Sequence, residues 1–396
     1  MNVLVANLGS TSFKFRLYDM EREVSLARGA VESIGSSNSS VMLETGSKNE
    51  RLEIVASNHG DALEYCLDRL RIMGVDCVDS AEDFAIGFKA VVGGRYRETT
   101  IVDDRVIEEM ERYRDVAPAH NPPYTSAMRL FKQRWPRIPL VAAFETGFHI
   151  DAPHAFQTYA IPYEWTRDFR IVRSGFHGAS HRYIAERMGL LAPSCSRLIS
   201  CHLGGSSSLC AIRDGKSLGA SMGMSPQSGL PQSNRCGDVD PFMLPLLIRE
   251  TGYSLDQILQ MLASQSGLKG MSGISNDLRE ILQAASDGHQ QAQLAVDVYV
   301  EEIRRHMGGM MMRLHGLDAI VFTGGIGERS SVIRELVCQS LEAFGIQLNT
   351  TANCAVTGEA RIDAEQGSVQ IWVVPTNEEI IVARQVVALL ETQKCL

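Results

Sequence analysis

The 396-residue chain has no C-x-x-C pair, no apolar run near the ~18 residues that span a bilayer, and no surplus of positive charge. Each absence removes a class of protein. Nine cysteines (Cys66, Cys77, Cys195, Cys201, Cys210, Cys236, Cys338, Cys354 and Cys395) are odd in number and scattered. They fit reduced thiols better than a disulfide framework or a zinc site. The chain enters a strand-like segment at once, without a basic n-region and apolar core, so no signal peptide is expected. Lys and Arg total 38 against 47 Asp and Glu, a net charge of -9, which disfavours non-specific nucleic-acid binding while leaving room for a local basic pocket. A cytoplasmic globular protein of two or three domains is expected.

What is present is a repeat. Val3-Leu4-Val5-Ala6-Asn7-Leu8-Gly9-Ser10-Thr11-Ser12-Phe13-Lys14 is answered by Leu198-Ile199-Ser200-Cys201-His202-Leu203-Gly204-Gly205-Ser206-Ser207-Ser208-Leu209. Asn7 falls on His202, Gly9 on Gly204, Ser12 on Ser207 and Asp19 on Asp214 at one constant offset. So long a period implies a duplicated domain rather than a solenoid. Each copy is a strand, a Leu-Gly loop of hydroxylated residues and a returning strand, a loop that presents N–H and hydroxyl donors to phosphate.

Around the first copy the pattern predicts a third strand near Ser25–Ile34 and a turn over Gly35–Ser40. A helical stripe covers 59–73, a strand Phe84–Val92, and a charged helix 103–114 that stops at Ala117-Pro118-Ala119-His120-Asn121-Pro122-Pro123. Pro139–Phe148 reads as a strand. The pattern then restarts with a helix from about Ser180 to Met188, a hairpin at 197–220, a loop at 225–235 and helices to about 316. Ala319–Glu328 reads as a buried strand, a glycine loop and a helix start; Val369–Val374 is a strand and Asn377–Glu391 a helix. Strands alternating with helices, opened in each half by a hairpin, predict mixed-sheet α/β architecture.

Several motifs carry chemistry, each with a plainer reading beside it. Asp214-Gly215-Lys216-Ser217 suggests a P-loop, but Cys210 stands where that loop needs glycine and strands flank it, so it is a hairpin turn. His177 and His181 would share a face on a helix, yet Gly178 favours a helix starting at Ser180 and no third zinc ligand is apparent. Ser180 is then a cap with a structural histidine beside it, or His177 donates to an anion above the helix. Asn234-Arg235-Cys236-Gly237-Asp238 is either a surface turn with an ion pair or a guanidinium placed for phosphoryl transfer, whose charge sits on three equatorial oxygens. Glu145 and Glu378 follow apolar strands, as helix caps or as Mg²⁺ ligands. Met307–Met312 reads as core in preference to dimer surface.

In this order the segments resemble the acetate kinase family, acyl-phosphate-forming members of the actin/hexokinase-like phosphotransferases, over nearly the whole chain. The resemblance implies an α/β fold of two duplicated ribonuclease-H-like domains, with mixed central sheets and an interdomain active-site cleft. The first domain is 1–150, completed by a helix at about 380–396, and the second 151–379. It further implies a homodimer that transfers phosphoryl reversibly between ATP and acetate, with Mg²⁺ or its substitute Mn²⁺. Matched residue by residue, Ser10, Ser12 and Lys14, with His202, Gly204, Gly205 and Ser206, are the phosphate loops. Asp277, Leu278, Arg279, Gly325, Ile326, Gly327 and Arg329 are nucleotide contacts, and Asn7 and Glu378 the metal side. His120, Glu145, His177 and Arg235 are the catalytic set; Lys89, Val91, Ala119, Phe176 and Pro226 face the acid.

The departures from the family pattern are Lys89 for arginine, Glu145 for aspartate, Gly205 for asparagine, Ala119 for leucine and Arg329 for asparagine. Lysine keeps charge but loses the bidentate fork, and a smaller residue at 119 admits propionate or butyrate. The alternatives are a pyrophosphate-using homologue and a nucleotide-binding sensor with weakened chemistry.

Overall fold

Strand β1 (Asn2–Leu8) carries Val3, Leu4, Val5 and Ala6, all buried. A run apolar on both faces belongs in the middle of a covered sheet. In the computed structural model, which describes residues 1–75 and 83–394, β1 lies between antiparallel and parallel partners. Cys77, Cys395 and the end of the 380–396 segment lie outside the described residues. The chain forms two compact units, Met1–Ile150 with Asn377–Leu396, and Asp151–Thr376.

The first unit's sheet also contains β2 (Phe13–Asp19), β3 (Val24–Glu32), β4 (Ser39–Thr45), β5 (Asn49–Ile54), β6 (Phe84–Ala90), β7 (Thr100–Ile101) and β8 (Leu140–Phe144). Their order is β5-β4-β3-β2-β1-β6-β8-β7, parallel only at β1–β6 and β6–β8. The second unit's sheet is β9 (Arg197–His202), β10 (Ser208–Arg213), β11 (Lys216–Ala220), β12 (Ala319–Thr323), β13 (Ala360–Arg361) and β14 (Gln370–Val373), in the order β11-β10-β9-β12-β14-β13. Here too the only parallel pairs between strands are those of β12, with β9 and β14. Thus β3-β2-β1-β6-β8 and β11-β10-β9-β12-β14 are one topology written twice, which is the duplication expected from the loop repeat. The mixed-sheet α/β class is as expected.

Three local expectations need correction. The turn predicted over Gly35–Ser40 ends early, because Ser39 begins β4, and β4 and β5 extend the sheet outward. Their pairing carries charge at the edge (Glu50, Glu53), which hides a strand's signature in the sequence and blunts the edge against other chains. The Pro-rich stop at 117–123 ends one helix at Arg112 but opens another, Asn121–Arg134, with its prolines in the first turn where no N–H is needed. The helix expected from Ser180 is Gly178–Leu191, and Ser180 is not its cap.

Other readings hold. Asp214 and Gly215 both have positive φ (50° and 75°), the geometry of a two-residue hairpin turn between β10 and β11. Met307 and Met310 pack in the core of the second unit, while Met312 is exposed. The seven described cysteines are free thiols. Among the described residues no helix is long and apolar enough to cross a membrane.

Candidate active site

The first unit gathers its polar residues where β1, β6 and β8 end. Lys89, next to last in β6, pairs with the Glu378 carboxylate and lies 3.9 Å from Glu145. The three side chains are 17%, 18% and 6% exposed, so this is a charge cluster taken largely out of water. Burial opposes the charge on Lys89, but Glu378 and Glu145 outweigh it and hold the ammonium above the ordinary lysine range. Glu378 reaches this cluster because Asn377 caps the helix Glu378–Lys394, accepting from Ile380 N at 3.3 Å and from the Tyr18 hydroxyl at 3.1 Å. The cap at Asn377 and the pairing of Glu378 with Lys89 therefore coexist.

Tyr124 ties the first loop to that cluster. Its hydroxyl donates to Asn7 Oδ1 and accepts from Leu8 N, both at 3.2 Å, and burial pushes its pKa up to about 12. Asn121, fully buried, pins the His120 loop by bonds to Val92 N, Val92 O and Met110 O. Val91 is half-buried just beyond β6, and Ala119 and Ser10 are exposed. Ser12 closes the first loop through its carbonyl, which accepts from Gly9 N at 2.9 Å. Lys14 sits opposite Asn7 in the hairpin, 3.7 Å from Glu32.

Glu145, Glu378 and Asn7 supply oxygen donors of the kind a hard divalent cation takes. The buried Thr146 hydroxyl beside Glu145 has no hydrogen-bond partner among the described residues. Among the described residues no three His, Cys, Asp or Glu side chains are placed to hold a metal ion. A cation here would complete its shell from Asn7 and from substrate or water oxygens.

In the second unit the histidines form a network rather than a zinc site. His177 precedes its helix with φ 54°, a left-handed residue that swings the ring out of the helical path. Its Nδ1 meets Ser208 Oγ at 2.8 Å, and the same hydroxyl lies 2.9 Å from His181 Nε2. The His177 ring stacks on His202 at 4.3 Å, and Ser180 Oγ pairs with His202 Nδ1 at 2.8 Å. So Ser180 orients a histidine instead of capping the helix.

Arg235 is bound to the second Gly-Ser loop. Its Nη1 donates to Gln232 Oε1 at 3.2 Å and to Ser206 Oγ and the Pro226 carbonyl at 3.4 Å. Gln232, wholly buried, accepts from Ser206 Oγ at 2.7 Å and donates to Pro226 O at 2.8 Å. Gly267, at φ 62°, is required beneath it: a Cβ would lie 2.1 Å from Gln232 O. Burial lowers the pKa of the Arg235 guanidinium. Phe176 and Pro226 are both buried nearby in sequence terms, on either side of the β9–β11 hairpin.

A cavity of about 740 Å³ in this unit brings together Gly204 and Gly205, Asp277, Leu278 and Arg279, and Gly325, Ile326 and Arg329. Asp277 caps the helix Leu278–Ser286, and its bond to the Arg279 side chain, then to the Arg279 N–H, lowers its pKa to about 2. Gly327 lies under the loop, buried against Cys201 O, and does not line the cavity. The loop is held from below by two residues that sequence reasoning missed. Glu328 Oε1 accepts from Gly324 N at 3.0 Å, and the fully buried Arg334 donates to the carbonyls of Gly327 and Glu328 at 2.9 Å. Tyr299 does the same for the other loop through Ser207 Oγ at 2.9 Å.

The sequence profile of the acetokinase family matches residues 2–384. The chain belongs to the acetokinase family. An acetate kinase of Halothermothrix orenii is 36% identical over 398 residues, covering 99% of this chain and 100% of the relative. A propionate kinase of Citrobacter rodentium is 38% identical over 397 residues, 98% of each chain. The crystal structure of Porphyromonas gingivalis acetate kinase gives a TM-score of 0.88 at 34% identity, covering 98% of this chain and 99% of that one. The residues read in the sequence as departures from the family pattern fall in different settings. Lys89 and Glu145 share one buried cluster, whereas Gly205 and Arg329 line an open cavity.

Proposed function

We propose that this acetokinase-family chain transfers the γ-phosphoryl group of ATP to a short-chain carboxylic acid, reversibly, with acetate as the leading acceptor. The observation that carries the reading is the 740 Å³ cavity, lined by three segments the family resemblance assigns to the nucleotide. An acid oxygen attacks the γ-phosphorus, the bond to the ADP oxygen breaks, and an acyl phosphate forms. Lys89 orients the acid carboxylate as a point charge. Arg235, desolvated and anchored through Gln232, and His177, oriented by Ser208, stabilise charge on the equatorial oxygens. His120 completes the set around the transferred group. Mg²⁺, when bound by Glu378, Glu145 and Asn7, supplies further neutralisation of phosphate charge. The Lys89 ammonium keeps the two carboxylates from repelling one another before substrate arrives. We place the chain in the cytoplasm as a homodimer, a reading supported by exposed Phe242, Leu246, Leu255 and Leu259 on adjoining helices.

The test is trapping of acyl phosphate by hydroxylamine with ATP, Mg²⁺ and a C2–C4 acid series. Acyl hydroxamate is expected with acetate, and none from any acid overturns the reading. Propionate is the second reading, supported by a propionate kinase relative as similar as those named for acetate.

Gly205 offers a finer check. Its φ is not positive, and a Cβ there would meet only Ser233 Oγ, at an ordinary 3.7 Å. Gly205→Asn is therefore expected to fold like the parent and to tighten ADP binding about fivefold, the worth of roughly one added hydrogen bond. Calorimetric titration with ADP reads the change.

A further inference from the structure

The unit Asp151–Thr376 holds a second cavity, of about 580 Å³, that shares no lining residue with the nucleotide-side cavity. Three arginines line it: Arg173, and Arg305 and Arg313 from the long helix Gln290–Leu314. Arg173 and Arg313 both lie over the Phe156 ring, 5.9 and 3.9 Å from its centroid, and Arg173 lies 4.2 Å over Tyr159. Phe156 itself packs against Gly219, where a Cβ would be 2.2 Å from the ring. The platform is therefore built, not incidental.

What the two guanidiniums lack is a counter-charge. Arg173 donates to the carbonyls of Phe156 and Thr158, and Arg313 to that of Leu218; among the described residues neither meets a carboxylate. Arg28, Arg69, Arg129, Arg187, Arg197 and Arg384 each pair with an acid, whereas the buried Arg334 is held, like these two, by carbonyls and an amide. Arg305 is already neutralised by Glu302 at 2.6 Å and approaches Asp238 at 3.6 Å. His306 adds a buried Nε2 with no hydrogen-bond partner among the described residues, 3.8 Å from Asp238. After burial, the charge of Arg173 is the next largest influence lowering the Arg313 pKa, so the two cations repel. Stacking on aromatic faces offsets part of that cost; an anion between them would offset the rest.

We propose that this cavity binds a small dianion, its charge carried by carboxylate or phosphate groups, held by Arg173 and Arg313 with His306 as a hydrogen-bond partner. Asp238, in the cavity wall, also accepts from Gly229 N at 2.7 Å and ends the loop that carries Arg235, so the cavity borders that loop's anchor.

Titration calorimetry of the full chain with malonate, succinate and inorganic phosphate tests this, with ADP present to occupy the other cavity. One dianion per chain is expected, with Arg173→Met and Arg313→Met each weakening it about tenfold or more. Binding of the dicarboxylates alone names carboxylate as the chemistry; binding of phosphate alone names phosphate. Gly309→Glu is an independent variant, since nothing lies within 4 Å of a Cβ at this cavity-lining glycine. Its carboxylate is expected to raise Tm and abolish dianion binding. The proposal is overturned if the parent binds no dianion, or if affinity survives in folded Met variants and in Gly309→Glu. It is also overturned if the Met variants change the sedimentation of the chain while the parent binds none, since a second copy would then neutralise the arginines.

Discussion

Arg235→Ala is expected to lower turnover by about 10³-fold or more, the scale of an arginine that stabilises phosphoryl-transfer charge, while ADP affinity changes by less than about threefold. The separation follows from where the side chain is tied. Its partners include Ser206, Gln232 and the Pro226 carbonyl, and Gln232 keeps its own bonds to Ser206 and Pro226 when the guanidinium is gone. The loop also keeps its backbone bonds, from Ser233 N to Gly205 O and from Leu268 N to Gln232 O. The nucleotide-side cavity, to which Arg235 does not contribute, is then left intact. Arg235→Lys is expected to recover only part of the loss, because it restores charge without the planar fork. Steady-state turnover beside ADP titration decides it. Equal losses in both would favour a nucleotide-binding protein without transfer chemistry.

Lys89→Met is expected to cost about 3–5 kcal/mol of folding stability at neutral pH, the usual penalty for stranding a buried charge. Two carboxylates depend on this ammonium, Glu378 and Glu145, and both are largely buried. In the parent the folded-state pKa of Lys89 is raised above the ordinary 10.5. Its stabilisation is therefore complete below that value and is lost as pH rises through the higher folded value. The variant reverses the dependence. Its buried carboxylates have lost the ammonium that favoured their charged form, so the deficit is largest at neutral pH and shrinks as the medium is acidified. Urea melts of the variant across the acidic range and of the parent across the alkaline range read the two effects, and the hydroxamate assay is expected to lose acid saturation. A variant as stable as the parent at pH 7 would remove the cluster's assigned weight.

Legibility in the sequence followed locality. The two hairpins were readable because strand, loop and strand are contiguous and the pattern occurs twice. The cavity at Gly204–Gly205, Asp277–Arg279 and Gly325–Ile326 was readable because each segment carries its own turn or cap signal. Tyr124, Gln232, Tyr299 and Arg334 were not: each acts on a loop through one buried hydrogen-bonding group, and three of them reach loops far away in the chain. No local periodicity marks such a residue. Ser180 shows the opposite failure, a good capping residue by type that tertiary pairing with His202 diverts. At Pro122 and Pro123 the same residues that end one helix suit the first turn of the next, so punctuation alone misjudged the segment.

The helix Glu378–Lys394 packs on β1 and β6, and Val386 and Val382 approach Gly87 so closely that a Cβ there would lie 2.7 Å from Val386. Strands made before Asp151–Thr376 thus wait for residues made after all of it. On the ribosome, the second unit has its whole sequence available first, while the earlier-born sheet keeps one apolar face uncovered until the helix emerges. Glu378 arrives with that same helix, so Lys89, with Glu145 beside it from the earlier segment, gains its second carboxylate at the moment the sheet is sealed.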